Sequence, residues 1–293
     1  MTLSRVRAAR LKPLLDAVAD DRPWVERVRF DPVEFPHRYT DPRDVEVVAL
    51  LSASLAYGRA DLFKPKIESI LSKLGKRPAS RVKALEVDEL HAVLEGFVYR
   101  FNLPADLGVL LMGMGACLRD HGSLEATFLE ARRTSADHRA TLSTFARTIR
   151  DAAPRAEIVR TLGKTRGLDH LLPVGTGAAK RLSLYLRWMV RGPDAIDFGI
   201  WTRVKPAELV IPLDTHIARL STWLGLTSRQ TQGWAMAEEI TNALRQLEPT
   251  DPVRYDFSLC HFGMSGACPV RPVKENCRKC PLRGECRVGR SAG

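Results

Sequence analysis

The sequence predicts an all-α protein, on three observations. Apolar residues recur at helical spacing through most of the 293 residues. No stretch alternates long enough to build a sheet. Pro and Gly punctuate the ends of the periodic segments, as in Asp41-Pro-Arg43 before one helix and Gly58 after it.

The elements follow in order. Asp44 to Tyr57 is apolar nearly all round and reads as a buried helix. Asp61 to Leu74 is amphipathic, with Phe63, Ile67, Ile70 and Leu74 on one face. Val87 to Phe97, Leu107 to Arg119, Leu124 to Arg132 and Leu142 to Arg150 continue the series. The longest apolar run, Leu107 to Leu118, is too short to span a bilayer. The opening residues lack the apolar core of a signal peptide. A cytoplasmic, reducing setting is therefore expected, where clustered cysteines favour metal over disulfides.

A net charge of +11 favours polyanionic partners, because each neutralised phosphate releases a counterion. Arg155 to Arg191 holds eight Lys or Arg against Glu157 and Asp169. Arg271 to Arg290 holds seven against Glu275 and Glu285. Solubilising surface charge would look the same in either segment taken alone. A membrane surface is disfavoured, since neither segment reads as a strongly amphipathic basic helix.

Three segments carry chemistry. In the first, a helix ending near His170 meets the turn Pro173-Val-Gly-Thr-Gly177, and an amphipathic helix runs from about Ala178 to Arg191. The free N–H groups that open such a helix suit phosphate, with Lys180 and Arg181 adding charge. A plain helix–turn–helix corner would read alike. In the second, Asp214 precedes a helix whose Ile217, Leu220 and Leu224 share a face, a place where Asp is most often an N-cap. In the third, Cys268, Cys277, Cys280 and Cys286 are separated by eight, two and five residues among basic side chains. A two-residue gap lets two thiolates meet one metal centre, and the spacing alone leaves zinc and iron–sulfur both open. Cys117 and Cys260 read as core.

Together these segments resemble the helix-hairpin-helix DNA glycosylase superfamily, most closely its endonuclease III side. Leu172-Pro-Val-Gly-Thr-Gly177 is similar to the family hairpin, Leu213-Asp-Thr-His216 with Arg219 to its aspartate segment, and Leu50-Leu-Ser-Ala53 to an early helix. The first gap between cysteines is longer here than in the family. Leu186-Arg-Trp-Met-Val-Arg191 and Asp197-Phe-Gly-Ile-Trp201 look like a poorly characterised bacterial branch.

The resemblance implies two helical domains flanking a DNA groove. Residues 44–191 would form a six-helix barrel ending in the hairpin, and 1–43 with 192–293 a cluster domain. It implies a [4Fe–4S] cluster on the four cysteines, with zinc the alternative. Asp214 would be the catalytic carboxylate. Gly175, Thr176, Gly177, Lys180, Arg181, Arg271 and Lys274 would contact DNA. The implied protein is a cytoplasmic, nucleoid-associated monomer acting on damaged or distorted duplex in base-excision repair.

Relatives that also cut the backbone carry a lysine just after the hairpin, which forms a Schiff base. Here Gly177 or Ala179 falls at that place, depending on the alignment. Lys180 follows, and on a helix each position turns a side chain by about 100°. The expectation is a glycosylase using water as nucleophile, without an efficient lyase step. A non-catalytic nucleic-acid-binding protein and a zinc-knotted interaction module are the competing readings. Tyr57, Tyr99, Trp188 and Trp201 could stack on bases or fill the core.

Overall fold

The computed structural model describes residues 3–20, 24–175 and 177–291. Among them the chain is helical and forms no strand, only an isolated bridge between Tyr99 and Asn102. No helix among the described residues is long and apolar enough to cross a membrane. The chain divides into two compact units, Val28–Gly175 and Met1–Arg27 with Thr176–Gly293.

The unit Val28–Gly175 is built around the helix Pro104–His121, every residue of which from Ala105 to Leu118 is buried. That apolar run is therefore a core helix. Its glycines set how closely its neighbours approach. A Cβ on Gly113 would lie 2.0 Å from the Ile149 carbonyl oxygen of helix His138–Ala152. One on Gly115 would lie equally close to the Val82 carbonyl oxygen of helix Pro78–Ala84. Only glycine permits both backbone contacts.

The buried acids of this unit cap helices. Glu46, 1% exposed, accepts from the Leu124 and Glu125 N–H groups that open helix Leu124–Thr134. Asp44 accepts from the Ala79 N–H at 2.7 Å. Each carboxylate satisfies donors that a helix start leaves unpaired. The expected helix Val87 to Phe97 shrinks to Leu90–Val93, because Gly96 takes φ +69° and the chain turns into the tight Tyr99–Asn102 bend.

In the other unit, helix Arg5–Asp20 and helix Thr215–Trp223 both pack on helix Asp256–Met264. Helix Lys180–Val190 also belongs to this unit, whereas the resemblance assigned it to the first domain. The physical reason is a buried charge network. Arg187 donates to Asp197 at 2.9 Å and to Asp256 at 2.6 Å, with all three side chains almost wholly buried. Arg191 binds Asp251 at 2.7 Å and also Asp197. Two main-chain bonds, Phe198 N–H to the Trp188 carbonyl and Trp201 N–H to the Met189 carbonyl, tie the same segments. The sequence phrases 186–191 and 197–201 are thus the two sides of one ionic core. Trp188 and Trp201 lie in it, 0% and 1% exposed.

Candidate functional site

Asp214 takes an extended backbone, φ −113° and ψ −178°, and opens helix Thr215–Trp223. Its Oδ1 accepts from the Ile217 N–H at 2.8 Å, so the capping role expected from the sequence is present. Its second oxygen is turned to other partners. Oδ2 accepts from the Cys260 thiol at 3.1 Å and lies 3.7 Å from Lys180 Nζ.

The side chain is 13% exposed. Burial raises its pKa, but Lys180, the Ile217 N–H, the Cys260 thiol and His216 outweigh that and hold it below the ordinary value of 3.8. Asp214 is therefore an anion at neutral pH. Burial and the neighbouring Asp214 and Asp256 push the Cys260 thiol well above its usual value, so it stays protonated and can donate. Burial lowers His216, against the pull of Asp214.

Close packing holds the group. A Cβ on Gly263 of helix Asp256–Met264 would meet His216 Nδ1 at 2.8 Å, so a glycine lets that helix seat against the start of the Asp214 helix. Cys260 lies one turn earlier on the same helix and so reaches Asp214. Sequence reading placed Cys260 in the core; the structure puts its thiol on the carboxylate. Only the pairing of two helices, distant in sequence, brings these groups together.

The Gly-rich turn straddles the two units. Gly175 has φ +122°, open to glycine alone, and is exposed. Gly177 is exposed as well, and Thr176 lies outside the described residues. Ala179 adopts φ +48° at the start of the following helix, so Lys180 is its first residue and Arg181 its second. Lys180 Nζ lies 3.7 Å from Asp214 Oδ2, a proximity that counting positions along the helix does not give. Arg271 and Lys274, in the first loop between cysteines, are exposed.

All four tail cysteines line one cavity of about 20 Å³, together with Trp223, Pro272 and Gly289. None is in a disulfide. Cys277 sits on the short helix Lys274–Lys279, Cys280 follows it, and Cys286 precedes Arg287–Ser291. The Gly289 N–H donates to Cys286 Sγ at 3.3 Å. Burial pushes the Cys268 thiol up to about 11 and the other three cysteines push the same way, while Arg219 opposes. Four sulfurs outside any disulfide, around one void, fit a sulfur-ligated group as a donor set. Among the described residues no three His, Cys, Asp or Glu side chains are gathered tightly enough to hold a metal ion. A tetrahedral zinc would need its sulfurs about 3.8 Å apart.

One residue joins the two features. Arg219 donates from Nη2 to the Cys268 carbonyl oxygen at 2.7 Å, and its guanidinium lies over the Trp223 ring at 5.5 Å. Helix Thr215–Trp223 thus carries the carboxylate at one end and leans on the cysteine loop through its middle.

The fold and these features define an all-helical protein with an ionised, half-sheltered aspartate and a four-cysteine tail. Residues 31–265 match the family described as "Protein of unknown function (DUF2400)", and the chain belongs to that family. The match stops short of the first tail cysteine. No curated protein matches the chain. No solved structure matches it.

Proposed function

We propose that the chain is a DNA glycosylase-like protein of base-excision repair, with Asp214 as the catalytic carboxylate. The observation that carries this reading is Asp214 itself. It is ionised and fixed by its own helix, and among the described residues its second oxygen meets a thiol and a lysine. A capping role needs one oxygen; the second serves no cap. Breaking the bond between base and sugar puts positive charge on the sugar, and a fixed anion stabilises it. Water then attacks C1′ while the carboxylate takes up its proton, and the base leaves with the bonding electrons.

The four cysteines would hold a [4Fe–4S] cluster, whose ligand sulfurs stand farther apart than those of a lone ion. When bound, such a group folds and charges the tail. Arg271 and Lys274 would then grip phosphates near it, as Gly175 and Gly177 would through their backbone. The expected partner is damaged or distorted duplex.

One observation favours a second reading of the step after base release. The Lys180 amine, 3.7 Å from Asp214, would add to the C1′ aldehyde left by base release and form an imine, expelling water. Screening modified-base duplexes for base release, with and without alkali, tests both readings. Release that needs alkali for strand cleavage supports water as nucleophile. Cleavage without alkali, with borohydride trapping lost in Lys180→Ala, supports the lysine. Binding without release for any substrate, unchanged by Asp214→Asn, leaves a non-catalytic nucleic-acid binder.

A further inference from the structure

The unit Val28–Gly175 holds a second feature, remote from Asp214 in the chain. Three loops meet there: Tyr57 to Arg59, Val98 to Asn102, and Gly163 to His170. Tyr57 and Phe101 lie nearly parallel, 9° apart with centroids at 5.6 Å. His170 stands edge-on to both, at 4.2 and 4.3 Å. All three rings are half-buried, whereas Tyr99 beneath Tyr57 is buried.

The loops are braced from below. Asn102, fully buried, donates to the Gly167 carbonyl at 2.8 Å and exchanges two main-chain bonds with Tyr99. Its side-chain oxygen and the Tyr57 hydroxyl are also bonded. Asp106 accepts from the N–H groups of Arg166 and Gly167 and from that of Leu103. A Cβ on Gly167 would come within 2.2 Å of the Asn102 amide, so the third loop can close on the second only through glycine.

The bracing holds a strained residue. Arg100 has φ +55°, in the left-handed region that residues with side chains rarely adopt. That conformation lays its guanidinium on Gly58, where a Cβ would meet Nη1 at 2.7 Å. Arg100, Lys164 and Arg166, in the segments that carry the rings, are exposed, and Arg59 is exposed beside its Asp61 partner at 2.7 Å. A core aromatic cluster would need neither the strained arginine nor a cationic rim.

We infer that Tyr57, Phe101 and His170, rimmed by Arg100, Lys164 and Arg166, form a stacking site for an unpaired DNA base, with the cations on the adjoining phosphates. Flat aromatic surface matches the face of any base, and the rim matches the backbone charge. The inference rests on the DNA-binding part of the proposed function and not on catalysis by Asp214.

The test uses the full chain and two probes of equal length: single-stranded oligothymidylate and the same backbone without bases. Phe101→Trp places a fluorophore in the site. Oligothymidylate should quench its emission relative to the unsubstituted protein, and the abasic strand should not. Phe101→Ala should weaken oligothymidylate binding about 5- to 100-fold and leave abasic binding unchanged. Equal binding of the two probes, no quenching at saturation, or equal weakening of both by Phe101→Ala overturns the site while leaving DNA binding intact. Failure to bind either strand or a distorted duplex overturns the DNA reading with it.

Discussion

Two groups of aspartates in the same unit show how setting divides structure from chemistry. Asp197 and Asp256 flank Arg187 and are closed off from solvent, every one of them hydrogen-bonded within the network. Burial pushes Asp256 up to about 6, with Arg187 pulling the other way. Asp214 is also sheltered, but its partners more than offset burial and it remains an anion with a half-committed oxygen. The first group pairs its carboxylates with arginines and joins segments. The second leaves charge available at a fixed point, which is what a reacting carboxylate needs.

The comparison can be broken at several places. The largest expected effect is on Asp214. Asparagine caps a helix about as well as aspartate, so Asp214→Asn should keep the melting temperature while slowing base release about 100- to 10,000-fold. A fall in stability with unchanged release would make Asp214 a cap and nothing more.

Arg187→Met should do the reverse. Removing the cation strands Asp256, leaves Asp197 to Arg191 alone, and should cost about 3–5 kcal/mol in denaturant unfolding, with release per folded molecule retained. A small change would mean that the network tolerates the loss by protonating Asp256.

Cys260→Ala removes one donor from the Asp214 carboxylate and should cost about 1.5–3 kcal/mol at most. Its sharper signature is in pH. Asp214 is held below its unfolded value, so its contribution to stability is full above 3.8 and is lost as pH falls through the folded value. Losing the thiol moves that folded value up. The acid side of the stability curve, and of any activity profile, should shift to higher pH in Cys260→Ala and less in Cys260→Ser.

The smallest effect concerns the tail. Arg271→Ala and Lys274→Ala should each lower the slope of log affinity against log salt by about 0.9 for duplex DNA. Unchanged slopes would remove these residues from the DNA-contacting set. Protein purified without air should be brown if the four thiols carry an iron–sulfur group, and colourless with stoichiometric zinc if they hold that ion instead.

Much of this molecule is legible in its residues. Apolar spacing marks most helices to within a few positions, because a helix buried on one face must repeat about every 3.6 residues. The capping place of Asp214 is local too, set by a carboxylate three residues before the N–H it receives. The short helix at Leu90–Val93 was less legible, since Gly96 and the bend after it depend on what Asn102 braces. Lys180 shows the limit most clearly. Counting positions along its helix says nothing of Asp214, 34 residues on, to which the fold brings its amine within 3.7 Å.

Helical class, the basic balance and the four clustered cysteines follow from sequence alone, because period, charge and spacing are properties of neighbours along the chain. Which groups surround Asp214, that Arg187 joins Asp197 to Asp256, and that Tyr57 meets Phe101 and His170 were decided only on folding. Those contacts join segments tens of residues apart, and close helix packing at glycines such as Gly113 and Gly263 selects them.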